Sequence, residues 1–160
     1  MPAIFPSPDH DHDRCSAEAM AHAEALCRAR GQRLTPLRRQ VLETLAESHR
    51  TLGAYEIMDR MAEQGPRPAP ITVYRALDFL LDNGLVHRIE SRNAFLACIG
   101  EHEAGAGTTV FLICERCGAV GEANSAAVAE TLQSAARAAG FTPKARVIEV
   151  TGVCAHCGGS

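Results

Sequence analysis

The sequence has no tryptophan, and only 4% of it is aromatic. A core of stacked rings is therefore excluded. Small apolar residues, alanine above all, must carry the packing, and alanine favours helices. No apolar run approaches the roughly 20 residues that a membrane-spanning helix needs, so no membrane contact is expected. The N-terminus lacks a basic stretch followed by an apolar core, so no secretory leader is expected and the chain reads as a cytoplasmic protein. There is no phosphate-cradling glycine loop and no evident nucleophile–base pair. An enzyme acting on a small-molecule substrate is accordingly not expected. An even cysteine count is also missing. Seven cysteines without an export signal fit reduced thiols and metal ligation better than a disulfide framework.

What is present is 160 residues, 46% hydrophobic, enough for one domain or two small ones. The net charge is -3, which by itself argues against a nucleic-acid partner. Its distribution is uneven. Residues 1–13 hold Asp9, Asp11 and Asp13 and no base. Residues 14–92 hold 12 arginines, no lysine and 10 acidic residues, and the remainder is acidic again. The positive charge thus sits in the N-terminal half, a mild indication of phosphate contact.

The strongest motif is a pair of thiol turns, Cys114-Glu115-Arg116-Cys117-Gly118 and Cys154-Ala155-His156-Cys157-Gly158. Two thiolates three positions apart on one turn can face one ion, and two such turns supply the four sulfurs of a structural zinc site. Glycine after each second cysteine suits a backbone that must turn behind the sulfur with positive φ. The alternative is two disulfides or unrelated thiol pairs.

Taken in order, residues 1–14 read as a disordered tail, with His10 and His12 among carboxylates. A helix is predicted from Ser16 to Arg30, with Met20, Ala23, Leu26 and Cys27 on one stripe. Thr35 caps the next helix and Pro36 opens it, with Leu37, Val41, Leu42 and Leu45 inward and Arg33, Arg38 and Arg39 outward. Gly53 precedes a third helix, Ala54 to Gln64, burying Ile57, Met58 and Met61. Pro66, Pro68 and Pro70 make a stiff connector to a fourth, Thr72 to Gly84, with Val73, Leu77, Leu80 and Leu81 at helical spacing. Leu85–Glu90 and Ala94–Cys98 read as a hairpin turned by Ser91-Arg92-Asn93.

Short helices closed by a hairpin make a winged helix, over residues 15–98. Its last helix enters the major groove, and Arg75, in the first turn, can pair with guanine O6 and N7. Residues 99–107 read as a hinge. Residues 108–160 read as β-β-α-β: a strand from Thr108 to Cys114, another from Ala119 to Ala123, an alanine-rich helix capped by Ser125, and a last strand from Phe141 to Thr151. The expected fold class is α+β, a winged-helix DNA-binding domain followed by a small α/β dimerisation domain with a four-cysteine zinc site.

A second ligand set remains once the four cysteines are assigned. Cys98 ends the wing, His87 precedes it on the facing strand, His102 follows it in the hinge, and Glu122 lies beyond the first thiol turn. One sulfur, two imidazoles and a carboxylate suit a second zinc drawn from both domains, with Glu101 or Glu103 as alternatives to His102.

Leu34-Thr35-Pro36, Thr72-Val73-Tyr74-Arg75-Ala76-Leu77, Leu85-Val86-His87-Arg88 and the two thiol turns, in this order, resemble the ferric uptake regulator superfamily over residues 17–158. Ala76-Leu77-Asp78-Phe79-Leu80, Cys117-Gly118-Ala119-Val120 and a cysteine at position 98 are similar to its zinc-sensing branch. The resemblance implies a homodimer that binds a palindromic double-stranded operator when zinc, the corepressor, fills the sensing site, and that represses zinc-uptake genes. It implies two zincs per chain: a structural one on Cys114, Cys117, Cys154 and Cys157, and a sensing one on His87, Cys98, His102 and Glu122. It places Tyr55 and Arg75 at base-contacting positions, with Thr72, Tyr74 and Arg33 as further candidate DNA contacts. The spacing between Cys98 and Cys114 departs from the family pattern, which bears on His102. Three other functions compete: an iron- or peroxide-sensing sister regulator, a thiol oxidoreductase, and a zinc-ribbon interaction module.

Overall fold

In a computed structural model of the chain, residues 4–5, 11–98, 108–143 and 147–159 are described. The chain divides into two compact units, one spanning Asp9–Ile99 and the other Gly100–Ser160 together with Met1–Pro8.

The first unit holds four helices and a hairpin. Helix α1 (His12–Ala29) begins before the expected Ser16, because the Asp11 carboxylate accepts from the Arg14 backbone N–H at 3.2 Å and so caps an earlier turn. Residues 12–14 are therefore helical rather than part of a tail. Helix α2 (Pro36–Ala46) starts where its signature said: Thr35 caps it, accepting from Arg38 N at 3.4 Å, and Pro36 takes the first position, where its missing N–H costs nothing. Helix α3 (Ala54–Ala62) is capped in reverse, with Glu56 accepting from the Gly53 N–H at 2.7 Å. Helix α4 (Pro70–Asp82) starts two residues earlier than expected. Pro70, taken from sequence as connector, is its first residue, for the same reason as Pro36. Asn83 caps the end of the helix, and Gly84 follows with φ +69°.

The apolar stripes meet in one core. Val41, Leu45, Ile57, Met58, Val73 and Leu80 are fully buried, and Met20, Ala23 and Cys27 of α1 close one side. Each large side chain so buried contributes about 1.5–3 kcal/mol. Strands β1 (Val86–Ile89) and β2 (Ala94–Ala97) form the antiparallel wing, in register Val86 to Ala97 and Ile89 to Ala94. Asn93 turns it with φ +45°, in the left-handed region that asparagine tolerates. A single bridge from Leu52 to Phe95 ties the wing to the segment before α3.

Two arginines read as outward-facing turn out to be structural. The Arg38 guanidinium lies 3.5 Å from the centre of the Phe79 ring on α4 and donates to Arg33 O at 2.6 Å. Arg39 pairs with Glu24 of α1. Both are occupied in holding helices together, and Arg33 alone of the three is exposed.

The second unit is a three-stranded sheet and a helix. Strands β3 (Thr108–Cys114) and β4 (Val120–Ser125) pair antiparallel, and β5 (Ile148–Gly152) runs parallel to β3 on its other side. Helix α5 (Ala126–Ala138) lies between β4 and β5 in sequence, capped by Ser125, whose hydroxyl accepts from Val128 N at 3.3 Å. The β-β-α-β order is as expected, and a single turn, α6 (Ala155–Gly158), follows. Ile4 also belongs here: a Cβ added at Gly121 would stand 2.6 Å from Ile4 Cγ2 and 3.0 Å from Ile4 O. Glycine on β4 makes room for that contact, so part of the expected tail packs on the sheet. No helix among the described residues is long and apolar enough to cross a membrane.

Candidate metal centre

The four-cysteine site forms where the sheet delivers its strands. Cys114 is the last residue of β3, and Gly118 N donates to Cys114 O at 3.0 Å, closing a turn in which Gly118 takes φ +75°. The glycine requirement is real at this position. It is not at Gly158, which ends α6 without positive φ; there the N–H groups of Cys157 and Gly158 both reach Cys154 O, at 3.0 and 2.9 Å. The second turn is thus helical rather than a copy of the first.

Parallel pairing brings the turns together. Cys114 stands opposite Gly152 on β5, and Cys154 follows two residues later. One ligand atom from each of Cys114, Cys117, Cys154 and Cys157 lies within 4.8 Å of all the others. Cys117 Sγ and Cys154 Sγ, from different turns, are 3.9 Å apart. Four sulfurs at about 2.3 Å from one tetrahedral zinc stand about 3.8 Å from each other, so the spacing fits that ion. It does not fit a disulfide, which needs about 2 Å, and none of the four cysteines is in one. Arg116 donates to Cys157 O at 2.7 Å and clips one turn to the other. Sequence reasoning passed over Arg116, since nothing in the spacing of a thiol turn marks its middle residues.

The electrostatics also suit a cation. The N–H groups of Cys117 and Cys154 donate to the Cys114 sulfur, the latter at 3.4 Å, and pull its thiol down to about 6. The Cys157 thiol is pushed up to about 12, mainly by hydrogen bonding with Cys154 and Cys117. One sulfur is held as thiolate while a neighbour is held as thiol. The cage resists full ionisation unless a positive ion compensates.

The second ligand set is divided between the units. In the wing, His87 lies on β1 opposite Leu96, and Cys98 follows β2 with its N–H donating to Leu85 O at 3.0 Å. The hairpin register brings a His87 ring nitrogen and the Cys98 sulfur within 4.8 Å. Glu122 lies on β4 opposite Phe111, with both carboxylate oxygens buried. A buried carboxylate is costly unless a positive charge accompanies it. His102, Glu101 and Glu103 lie outside the described residues.

The candidate DNA contacts cluster on the first unit. Tyr55 at the start of α3 is 61% exposed and Tyr74 on α4 is 41% exposed. Arg75 is exposed beside Tyr74, and Arg33 is exposed before α2. The Thr72 hydroxyl donates to Ala69 O at 2.6 Å, so that donor serves the helix start. Ile71 is exposed on the same turn.

A winged-helix unit joined in one chain to a small sheet with a four-thiolate cage defines a class, the two-domain metal-dependent regulators. The chain belongs to the ferric uptake regulator family, whose model matches residues 29–151. It is 40% identical over 140 residues to the zinc uptake regulation protein of Escherichia coli K12, covering 88% of this chain and 81% of that protein. It is similar, with a TM-score of 0.82 and 39% identity, to a zinc uptake regulator solved in complex with zinc and DNA, covering 90% of this chain and 95% of that one. The peroxide operon regulator of Bacillus subtilis 168 is more distant, at 27% identity over 145 residues, or 89% of this chain and 95% of that protein.

Proposed function

We propose that this chain is a zinc-responsive transcriptional repressor that acts as a homodimer on palindromic operators and represses zinc-uptake genes. The observation that carries the reading is the His87–Cys98 pair in the wing: a thiol and an imidazole within 4.8 Å, outside the four-cysteine cage. Thiolate and imidazole donors favour zinc over magnesium or manganese. Glu122 and His102 complete the proposed sensing site, while Cys114, Cys117, Cys154 and Cys157 hold the structural zinc. The two sites then differ in role. The four-thiolate zinc supports folding, and the mixed site responds to zinc supply by favouring the DNA-competent state. A shift from 1:99 to 99:1 needs about 5.5 kcal/mol of preferential binding to that state.

Arg75 and Tyr55 are the proposed base contacts, with Tyr74 and Arg33 as further contacts, while Thr72, whose hydroxyl is spent on Ala69 O, sets the start of the reading helix. For the dimer, the support is uncovered apolar surface. Val150 on the edge strand β5 is 48% exposed, Phe141 is 64% exposed, and α5 buries none of its residues. An edge strand of this kind needs a cover. Greater similarity to zinc uptake regulators than to the peroxide regulator favours the zinc reading over the sister sensors.

Cys98→Ser tests the proposal. The variant is expected to keep one zinc per chain and a folded dimer but to lose zinc-dependent operator binding in a titration under buffered zinc. Unchanged zinc-dependent binding by this variant would remove the sensing site from the mechanism.

A further inference from the structure

Among the described residues of the Asp9–Ile99 unit, three large apolar or aromatic side chains stand exposed: Tyr55, Ile71 and Tyr74, at 61%, 60% and 41%. A lone exposed apolar residue means little, but these are gathered at the N-terminal ends of α3 and α4. Tyr55 and Tyr74 line one shallow cavity of about 220 Å³. Ile71 is the second residue of α4, one helical turn before Tyr74 and Arg75, and so shares their face. The tyrosines carry a hydroxyl that can bond a phosphate or a base edge. Ile71 has no polar atom, so only an apolar partner can use it.

We infer that Ile71 is a specificity-determining residue that reads the C5-methyl group of a thymine in each half-site. The inference rests on the proposed operator-binding function. In a winged helix the N-terminal turn of the last helix meets base edges in the major groove. The thymine methyl is the one apolar group the four bases display there, and it is recognised by apolar contact rather than by hydrogen bonds. Arg75, on the same face, supplies the polar half of the code toward guanine. The pairing of an apolar and a cationic reader on one helix face discriminates T and G from their complements.

The test uses the full-length, zinc-loaded protein and a duplex selected by it from a random DNA pool. Each thymine of that duplex is replaced in turn by deoxyuridine, which lacks only the methyl group. At one thymine per half-site the replacement is expected to weaken binding about fourfold, the value of one buried methyl group. Ile71→Ala is expected to bind the parent duplex more weakly and to show no difference between thymine and deoxyuridine there. Ile71→Val is expected to keep most of that difference. Ile71 is exposed, so both variants should retain parental urea unfolding curves. Indifference of the parent protein to every deoxyuridine, or an undiminished difference in Ile71→Ala, would overturn the inference while leaving the regulator reading intact. Recovery of no zinc-dependent duplex would overturn the regulator reading and this inference with it.

Discussion

Acidification should empty the four-cysteine cage, and two of its sulfurs, Cys157 and Cys114, should contribute to the slope in different pH ranges. Zinc takes thiolates, so every thiol that is protonated in the metal-free cage must lose a proton when the ion enters. The Cys157 thiol, pushed up to about 12 by its sulfur neighbours, holds its proton throughout the neutral range. Displacing that one proton by itself contributes about a tenfold fall in apparent zinc affinity per pH unit. Cys114 behaves oppositely. Its folded value is depressed from 9.0 to about 6 by backbone N–H donors. In the metal-free fold its thiolate therefore contributes stability fully above pH 9.0, and that contribution is lost as the pH falls through about 6. Below that point a second proton competes with zinc, and from these two groups alone the slope steepens to about a hundredfold per pH unit. The assay is competition with a chelator of known zinc affinity across that range, with Cys114 alkylation mapped in parallel. An apparent affinity independent of pH, or one with no steepening near Cys114's titration, would refute the assignment of these sulfurs as zinc ligands.

Two further outcomes follow from the first unit. Asn83 is buried, accepts from Arg30 Nη1 at 2.9 Å and donates to Phe79 O at 2.8 Å, so Asn83→Ala should cost about 1–3 kcal/mol in urea unfolding, and little additional loss should follow from Arg30→Met in the same chain. Arg38→Ala removes the guanidinium from the Phe79 ring and should cost about 0.5–1 kcal/mol while leaving zinc content unchanged; a stability equal to that of the parent would return Arg38 to the set of outward-facing charges.

Features set by short-range chemistry were legible in the sequence. The Thr35–Pro36 helix start depends on a side chain three residues from its acceptor, and it was placed correctly. The β-β-α-β order followed from one run of β-branched residues, one alanine-rich run and one capping serine. Local signals were also the ones misjudged, where two of them competed. Pro66 and Pro68 make Pro70 read as connector, although it opens α4. Alternating histidines and aspartates make Asp11 read as tail, although it caps α1.

What the residues determined alone is the chemistry on offer: four sulfurs in two turns, a leftover thiol beside an imidazole, and an arginine near the start of the fourth helix. Spacing suffices there, because ligand type and turn length follow from neighbours in the chain. Only the tertiary structure decided which groups are engaged. Arg38 and Arg39 look identical to solvent-facing bases until Phe79 of α4 and Glu24 of α1 are packed against them. Cys117 meets Cys154 only because β5 pairs parallel to β3 and carries the second turn to the first. Partners that lie tens of residues apart leave no periodic trace in the chain, so packing alone assigns them.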